Sequence, residues 1–476
     1  MSRLLFYDLE TSGLDKSFDQ ILQFAAVETD QDLNLVNNYE WWVRLNADIW
    51  PSPCALAVTG ISLQQLERYG RPEYEVVSQI HALFNRPGTI SLGYNTLGFD
   101  DEFLRFSFHR NLLEPYTHQY ADDCYRMDVY PMLLMRFLIK PEGIVWPEGI
   151  SKDGRSRISM KLEDIRVAND LPVDGRSHNA MSDVMCTIEV ARMLRRDLVV
   201  WQWMAKHFVK SGDARYTADA CCILNGLTVT MWAAGEFGSD QHFLTVACYL
   251  GRHRHYSNQE LWLRLDVRYL GQLNGQVDKA FGLIVRKKLG EPPFALSYAG
   301  IYGFLIGDER RELVERNLSF LGGGLLDWQE YWLEYKYPII PNLDIDAGLY
   351  QQGFLSPAVR KQCVQLHVDL ASLIHSEDFS SLLTNLPVEQ HEQLVRILGR
   401  NYPRLLASYS ASEWGVWNDY LVRAIWGGML NHQARKRRNA VSFCDEWLKC
   451  QALTDDQRHE LSVLYDRRKR TYDVGS

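Results

Sequence analysis

The sequence predicts three successive parts: an α/β domain built on a mixed sheet, a small β-rich barrel or strongly bent sheet, and a helical C-terminal part. Three observations predict this order. Up to about residue 200, short apolar runs bounded by turn signals alternate with stretches of helical periodicity. Between about 215 and 345, β-rich runs at Leu227–Trp232, His242–Leu250 and Leu261–Val267 are separated by Gly235, Gly238, Gly251 and Asn258. From about Ser356 amphipathic stretches follow near 357–375, 379–399, 403–429 and 454–469, with prolines 357, 387 and 403 near their starts, where a first helical turn tolerates them. The division expected is 1–200, 201–348 and 349–476.

Within the first part, Leu4–Tyr7 is an apolar run that ends in Asp8-Leu9-Glu10 and the turn signal Thr11-Ser12-Gly13. Runs at Ile21–Val27 and Tyr39–Val43 complete three strands in meander order. Helical patterns cover Ser62–Tyr69 and Glu73–Phe84. A fourth strand at Thr89–Tyr94 leads through Asn95 into a helix over Asp100–Asn111. From Met181 onward, Met181, Val184, Met185, Ile188, Ala191 and Leu194 fall on one helical face.

Composition narrows the class. A chain of 476 residues exceeds one ordinary core, at about 150 residues per domain. Hydrophobic content of 46% and charged content of 23% are those of a soluble globular protein. No apolar run approaches the ~18–20 residues of a membrane span, and the longest candidate, Pro131 to Ile139, contains Arg136. The apolar stretch after Met1 is too short for a secretory leader. Nine scattered cysteines without a C-x-x-C pair argue against a disulfide framework and a zinc knuckle, so a reducing cytoplasm is expected. A net charge of −9 excludes indiscriminate coating of duplex DNA, but not a local basic groove around an acidic centre.

The chemistry sits in scattered polar residues. Asp8 and Glu10 are two apart on a predicted strand, so alternation puts both on one face. Two carboxylates so placed repel unless a cation lies between them; the bland alternative is a solvated strand end. Asp100 follows the strand that ends at Gly93-Tyr94-Asn95 and can bring a third acid to the same sheet edge. His178 lies in the loop before the last helix and Asp183 about one turn inside it, so the two can converge on one cleft.

The order D-x-E, D, H-x4-D over about 180 residues resembles the DEDD superfamily of 3′-to-5′ exonucleases, in its histidine-containing subgroup. The stretches FYDLETSGL, VTGIS at Val58–Ser62 and HNAMSDV carry that likeness. LGYNTLGFDDEF (92–103), KPEGIVWPE (140–148), SMKLEDI (159–165) and LYQQGFLS (349–356) resemble segments of the bacterial exonuclease I family. The resemblance implies a ribonuclease H-like nuclease domain, then an SH3-like β-barrel and an α-helical C-terminal domain. It also implies removal of 5′-mononucleotides from the 3′ end of single-stranded DNA, in DNA repair and recombination, by a monomer.

Two-metal phosphodiester hydrolysis explains the residue types. Hard oxygen ligands suit two Mg²⁺ ions, or Mn²⁺ in their place, about 4 Å apart. Asp8 is expected to bridge them, Glu10 and Asp183 to hold the ion carrying the nucleophilic water, and Asp100 to hold the other directly or through water. His178 would take the proton from that water. Tyr94, Asn95 and Glu10 would border the substrate. Tyr350 and Phe354 are candidates for base stacking, with a hydrophobic core as the alternative. Arg126, Lys140 and Lys161 are candidates for phosphate contacts or are solvated surface. The family also binds the acidic C-terminal tail of single-stranded-DNA-binding protein, for which Arg316 is the candidate here. The rivals are an exoribonuclease of the same superfamily, a polymerase proofreading subunit and a non-catalytic single-stranded-DNA-binding scaffold.

Overall fold

A computed structural model describes residues 3–150, 154, 156–172, 179–299, 301–322, 324–373 and 388–472. The chain divides into two compact units, Met1–Arg126 with Val173–Met185 and Ile339–Ser476, and Met127–Pro172 with Cys186–Pro338.

In the first unit, strands β1 (Arg3–Thr11), β2 (Ile21–Thr29), β3 (Leu35–Trp42), β4 (Thr89–Gly93) and β5 (Tyr125–Asp128) form a sheet in the order β3-β2-β1-β4-β5. The β1–β2 and β2–β3 pairs are antiparallel and the β1–β4 pair is parallel, so the sheet is mixed, as the sequence predicts. β3 starts at Leu35, earlier than the apolar run at Tyr39: on this edge strand Asn37 and Asn38 interrupt the apolar pattern, and Leu35 and Val36 before them are exposed.

Alternation along β1 sorts its side chains. Leu5, Tyr7 and Leu9 join a buried cluster with Phe24 of β2, Val76, Ile80 and Phe84 of the helix Glu73–Phe84, and Phe103 and Phe108 of the helix Asp100–Arg110. That helical layer covers one face of the sheet. Asp8 and Glu10 therefore lie on the opposite face, with Leu4 and Phe6. The β1–β4 ladder stops at Phe6↔Leu92, leaving the last residues of β1 beyond the end of β4.

The C-terminal helices, among them Pro357–Leu373, Val388–Asn401, Ala411–Trp426, Ala440–Lys449 and Asp455–Tyr472, belong to the same unit. Leu366, Leu370, Leu394 and Trp417 share a buried cluster with Tyr74 and Leu112, and Ile425, Phe443 and Leu461 share another with Trp50, Leu56 and Leu66. Ser410 caps a helix start by accepting the Glu413 N–H, which splits the continuous stretch expected over 403–429.

In the second unit, β6 (Glu148–Ile150) and β7 (Ser156–Ile158) pair antiparallel. A six-stranded antiparallel sheet follows, from β8 (Cys222–Leu224), β9 (Leu227–Ala233), β10 (Leu244–Arg252), β11 (Gln259–Arg264), β12 (Ile284–Lys288) and β13 (Phe294–Leu296). Its order is β12-β11-β10-β9-β13, with β8 also pairing β9. Asn225 and Gly226, with φ of 49° and 77°, make the two-residue turn between β8 and β9 that an Asn-Gly pair favours. Trp232 and Trp262 meet edge to face at 5.0 Å in its core, and the buried Lys287 ammonium pairs with the buried Asp213 carboxylate at 2.5 Å.

Candidate active site

Asp8 and Glu10 reach the site from the free end of β1, and Asp183 from the first turn of the helix Ala180–Arg195. Asn179 starts that helix: its carbonyl accepts the Asp183 N–H at 3.0 Å and its side chain the Ser182 N–H at 3.3 Å. One carboxylate oxygen from each of Asp8, Glu10 and Asp183 lies within 4.8 Å of the others. Asp100, 5% exposed, opens the helix Asp100–Arg110, and its Oδ1 accepts the Leu9 N–H at 3.2 Å. That backbone donor lies past the end of the β1–β4 ladder, so Asp100 closes the gap where β4 has turned away.

Gly93 makes this turn possible. A Cβ there would sit 2.6 Å from the Tyr7 carbonyl oxygen and 2.3 Å from a Thr96 methyl carbon, so only glycine lets β4 leave the sheet beside Asp8. Asn95 then adopts a left-handed φ of 63°, which Asn tolerates better than most residues.

Close packing of the acids governs the electrostatics of the site. Burial, then Asp100, Glu10 and Asp183, push the Asp8 carboxyl well above the carboxylate range. Burial, then Asp183 and Asp100, push Glu10 up to about 8. Unbalanced negative charge held this closely is costly, and a divalent cation removes the cost. The donors are all hard oxygens, which fits Mg²⁺ or Mn²⁺ rather than a thiophilic ion.

The structure thus brings Asp8, Glu10, Asp100 and Asp183 together. His178 lies outside the described residues. Tyr94 is half-buried and Asn95 exposed beside the acids in sequence. Arg126 is drawn into the protein: its Nη1 lies 2.5 Å from the Asp101 carboxylate and its side chain is 11% exposed. Tyr350 donates its hydroxyl to Glu102 and sets its ring edge-on to Phe106, while Phe354 is 77% exposed and meets Tyr116 edge-on at 5.6 Å. Lys140, Lys161 and Arg316 belong to the second unit. There Lys140 pairs with Asp197, Lys161 precedes the helix Leu162–Ala168 with an exposed side chain, and the Arg316 guanidinium lies over the Tyr269 ring at 3.8 Å.

Sequence reasoning passed over Asp101, Arg105 and His118. The only signal was the doubled acid in Phe99-Asp100-Asp101, with an arginine four residues on.

Residues 5–191 match the family described as Exonuclease, of the RNase T type. Over this stretch the chain is similar to that family. Exodeoxyribonuclease I of Escherichia coli strain K12 is 36% identical over 195 residues, 41% of this chain and 40% of that protein. Exodeoxyribonuclease I of Buchnera aphidicola subsp. Baizongia pistaciae is 35% identical over 193 residues, 40% of this chain and 39% of that protein. The chain's sequence match thus spans about two fifths of the length of these relatives.

Solved structures extend the likeness. Exonuclease I of Methylocaldum szegediense superposes with a TM-score of 0.81 at 25% identity, covering 99% of both chains. The zinc-bound complex of E. coli exonuclease I with single-stranded DNA gives 0.80 at 22% identity, again over 99% of each. A structure described as SSB/exonuclease I with an inhibitor gives 0.77 at 22%, over 99% of each. The RNase H-like nuclease domain with its mixed sheet and the helical C-terminal region therefore belong to a fold shared along the whole chain.

Proposed function

We propose that the protein hydrolyses single-stranded DNA from the 3′ end, releasing 5′-mononucleotides with the help of two divalent cations, Mg²⁺ by preference. The observation that carries this reading is the meeting of three ligand oxygens, from Asp8, Glu10 and Asp183, within 4.8 Å inside an exonuclease domain. The exodeoxyribonuclease I names of the sequence relatives and the single-stranded-DNA complex among the structural neighbours support the choice of substrate.

When bound, the cations supply positive charge to the attacking and leaving oxygens of an in-line displacement. Asp8, Glu10 and Asp183 would hold one ion, with Asp8 shared to the second. Asp100 would serve the second ion, directly or through water, from a carboxylate that also accepts the Leu9 N–H. His178 would take the proton of the attacking water as its oxygen bonds to phosphorus, while the 3′ oxygen of the preceding nucleotide leaves with the electron pair of the broken P–O bond and takes up a proton from solvent. Tyr94 and Asn95 border the terminal nucleotide. Tyr350 and Phe354 offer aromatic surface to upstream bases, which makes binding tolerant of sequence. Lys140 and Lys161 remain our candidates for the phosphate path, while Arg126 is turned onto Asp101.

The three parts 1–200, 201–348 and 349–476 are read as nuclease, SH3-like and helical domains of a cytoplasmic monomer that acts in DNA repair. The acidic C-terminal tail of single-stranded-DNA-binding protein is the proposed partner. Arg316 is its candidate contact, and the SSB/exonuclease I structure supports the pairing. No described helix is long and apolar enough to cross a membrane.

A digest of 5′-labelled single-stranded DNA, duplex DNA and RNA of one sequence, with Mg²⁺ and with EDTA, tests the proposal. Metal-dependent shortening of single-stranded DNA from its 3′ end is expected. Preferential loss of RNA, or no cleavage of any strand, would overturn it.

A further inference from the structure

The acid beside the candidate ligand Asp100 is built into the protein more firmly than Asp100 itself. Asp101 is 1% exposed, and three cations or donors converge on it. Its Oδ2 lies 2.5 Å from Arg126 Nη1 and 2.9 Å from Arg105 Nη2, and its Oδ1 lies 3.1 Å from His118 Nε2. A carboxylate only accepts, so Nε2 of His118 carries the proton, and Nδ1 is left buried without a hydrogen bond. The Asp101 N–H donates to the Thr96 carbonyl at 3.0 Å, tying the helix start to the turn after Gly93.

These partners come from separate elements. Arg105 is one turn along the same helix, His118 lies in the short helix Thr117–Gln119, and Arg126 is on β5 at the edge of the sheet. Arg105 also binds Gln119 at 3.1 Å and pairs with Glu102, which accepts the Tyr350 hydroxyl. The first turn of the helix is thus pinned to the sheet edge on one side of Asp100, while the Leu9 N–H holds Asp100 Oδ1 on the other.

We propose that Asp101 is a positioning residue: clamped by Arg126, Arg105 and His118, it sets the placement of the Asp100 carboxylate beside Asp8 and Glu10. Arg126 then acts through Asp101 and not on a substrate phosphate. Hydrogen-bonded groups behind metal ligands commonly tune affinity and activity in this way. The inference rests on the metal-dependent reading above.

The test compares wild type with Asp101→Asn, Arg126→Gln and Arg126→Lys. Mn²⁺ affinity is measured by calorimetry without DNA, alongside kcat, KM and thermal melting. A positioning role predicts about ten-fold or more weaker binding at one Mn²⁺ site and a similar drop in kcat, with KM little changed. Arg126→Lys should restore part of both, because an ammonium still neutralises Asp101. Unchanged Mn²⁺ affinity with a raised KM would overturn the proposal in favour of a phosphate contact. A lowered melting temperature with unaltered Mn²⁺ affinity and kcat would overturn it in favour of a purely architectural ion pair. Should Asp101→Asn fail to fold, the two Arg126 variants carry the same readings. Failure of wild type to digest DNA would instead strike the functional reading, and the Mn²⁺ titration would still decide the positioning role.

Discussion

Arg400 Nη2 and Asp48 Oδ2 meet at 2.8 Å with both side chains buried, joining residues 352 positions apart. Asp346 at 2.6 Å and the Tyr420 hydroxyl at 2.8 Å share the same guanidinium nitrogen, and Arg437 adds a second cation 3.2 Å from Asp48. Removing one partner of such a buried network strands the others, at a cost of about 3–5 kcal/mol. Arg400→Met should lower the free energy of unfolding by that amount in urea titration. A loss below about 1 kcal/mol, the range of surface pairs, would contradict this role.

The same cluster sets an acid limit. Burial alone would raise the Asp48 carboxyl, but Arg400 and Arg437 hold it far below the usual range. Its folded value is thus depressed relative to about 3.9 in the unfolded chain. The stability it contributes is present above about pH 4 and is lost as pH falls below that value. Denaturation monitored from about pH 5 down to about pH 2 should show a steeper fall for wild type than for Asp48→Asn, whose fold is weaker at neutral pH. Parallel curves would contradict it.

Much of the site was legible because it follows from short periods. Two residues apart on a strand puts Asp8 and Glu10 on one face, and the helical spacing from Met181 places Asp183 in a first turn. What stayed hidden was partnership over distance. Asp101 looks like any solvated acid until His118 and Arg126, 17 and 25 residues away, close on it. Lys140 likewise reads as a free cation, yet it pairs with Asp197. The stacking of Trp50 on Phe443 at 4.5 Å leaves no local trace in either stretch.

Gly93 is a sharp test of how the acids are placed. An added methyl group would press on the Tyr7 carbonyl, one residue from Asp8, and on Thr96, whose carbonyl anchors Asp101. Backbone cannot yield as a side-chain tip does, so Gly93→Ala should cost about 1–3 kcal/mol of stability. Cleavage should fall further than the population of folded protein accounts for, measured as kcat at a temperature well below the melting point. A variant with wild-type kcat would show that the β4 turn does not set the acids.

Glu10 predicts a trade between stability and chemistry. Its carboxyl is raised by burial, Asp183 and Asp100 to about 8, against about 4.3 in an unfolded chain. Between these values the folded state binds more protons than the unfolded one, so stability without metal falls as pH rises from about 4 to 8. Glu10→Gln removes that charge. In EDTA at about pH 8 the variant should melt higher than wild type, and the gap should shrink toward about pH 5. Adding Mg²⁺ reverses the order, because a cation that binds only the folded state stabilises wild type by mass action, and the neutral amide of the variant is a poor ligand for it. Cleavage should fall more than ~100-fold in the same variant, beyond what changes behind the ligands cost. Melting curves of the two proteins at the acidic and the alkaline end of this range, each with EDTA and with Mg²⁺, separate the effects. If Glu10→Gln is destabilised in EDTA at the alkaline end and still raised by Mg²⁺ as much as wild type, the carboxylate is structural and the metal is held elsewhere.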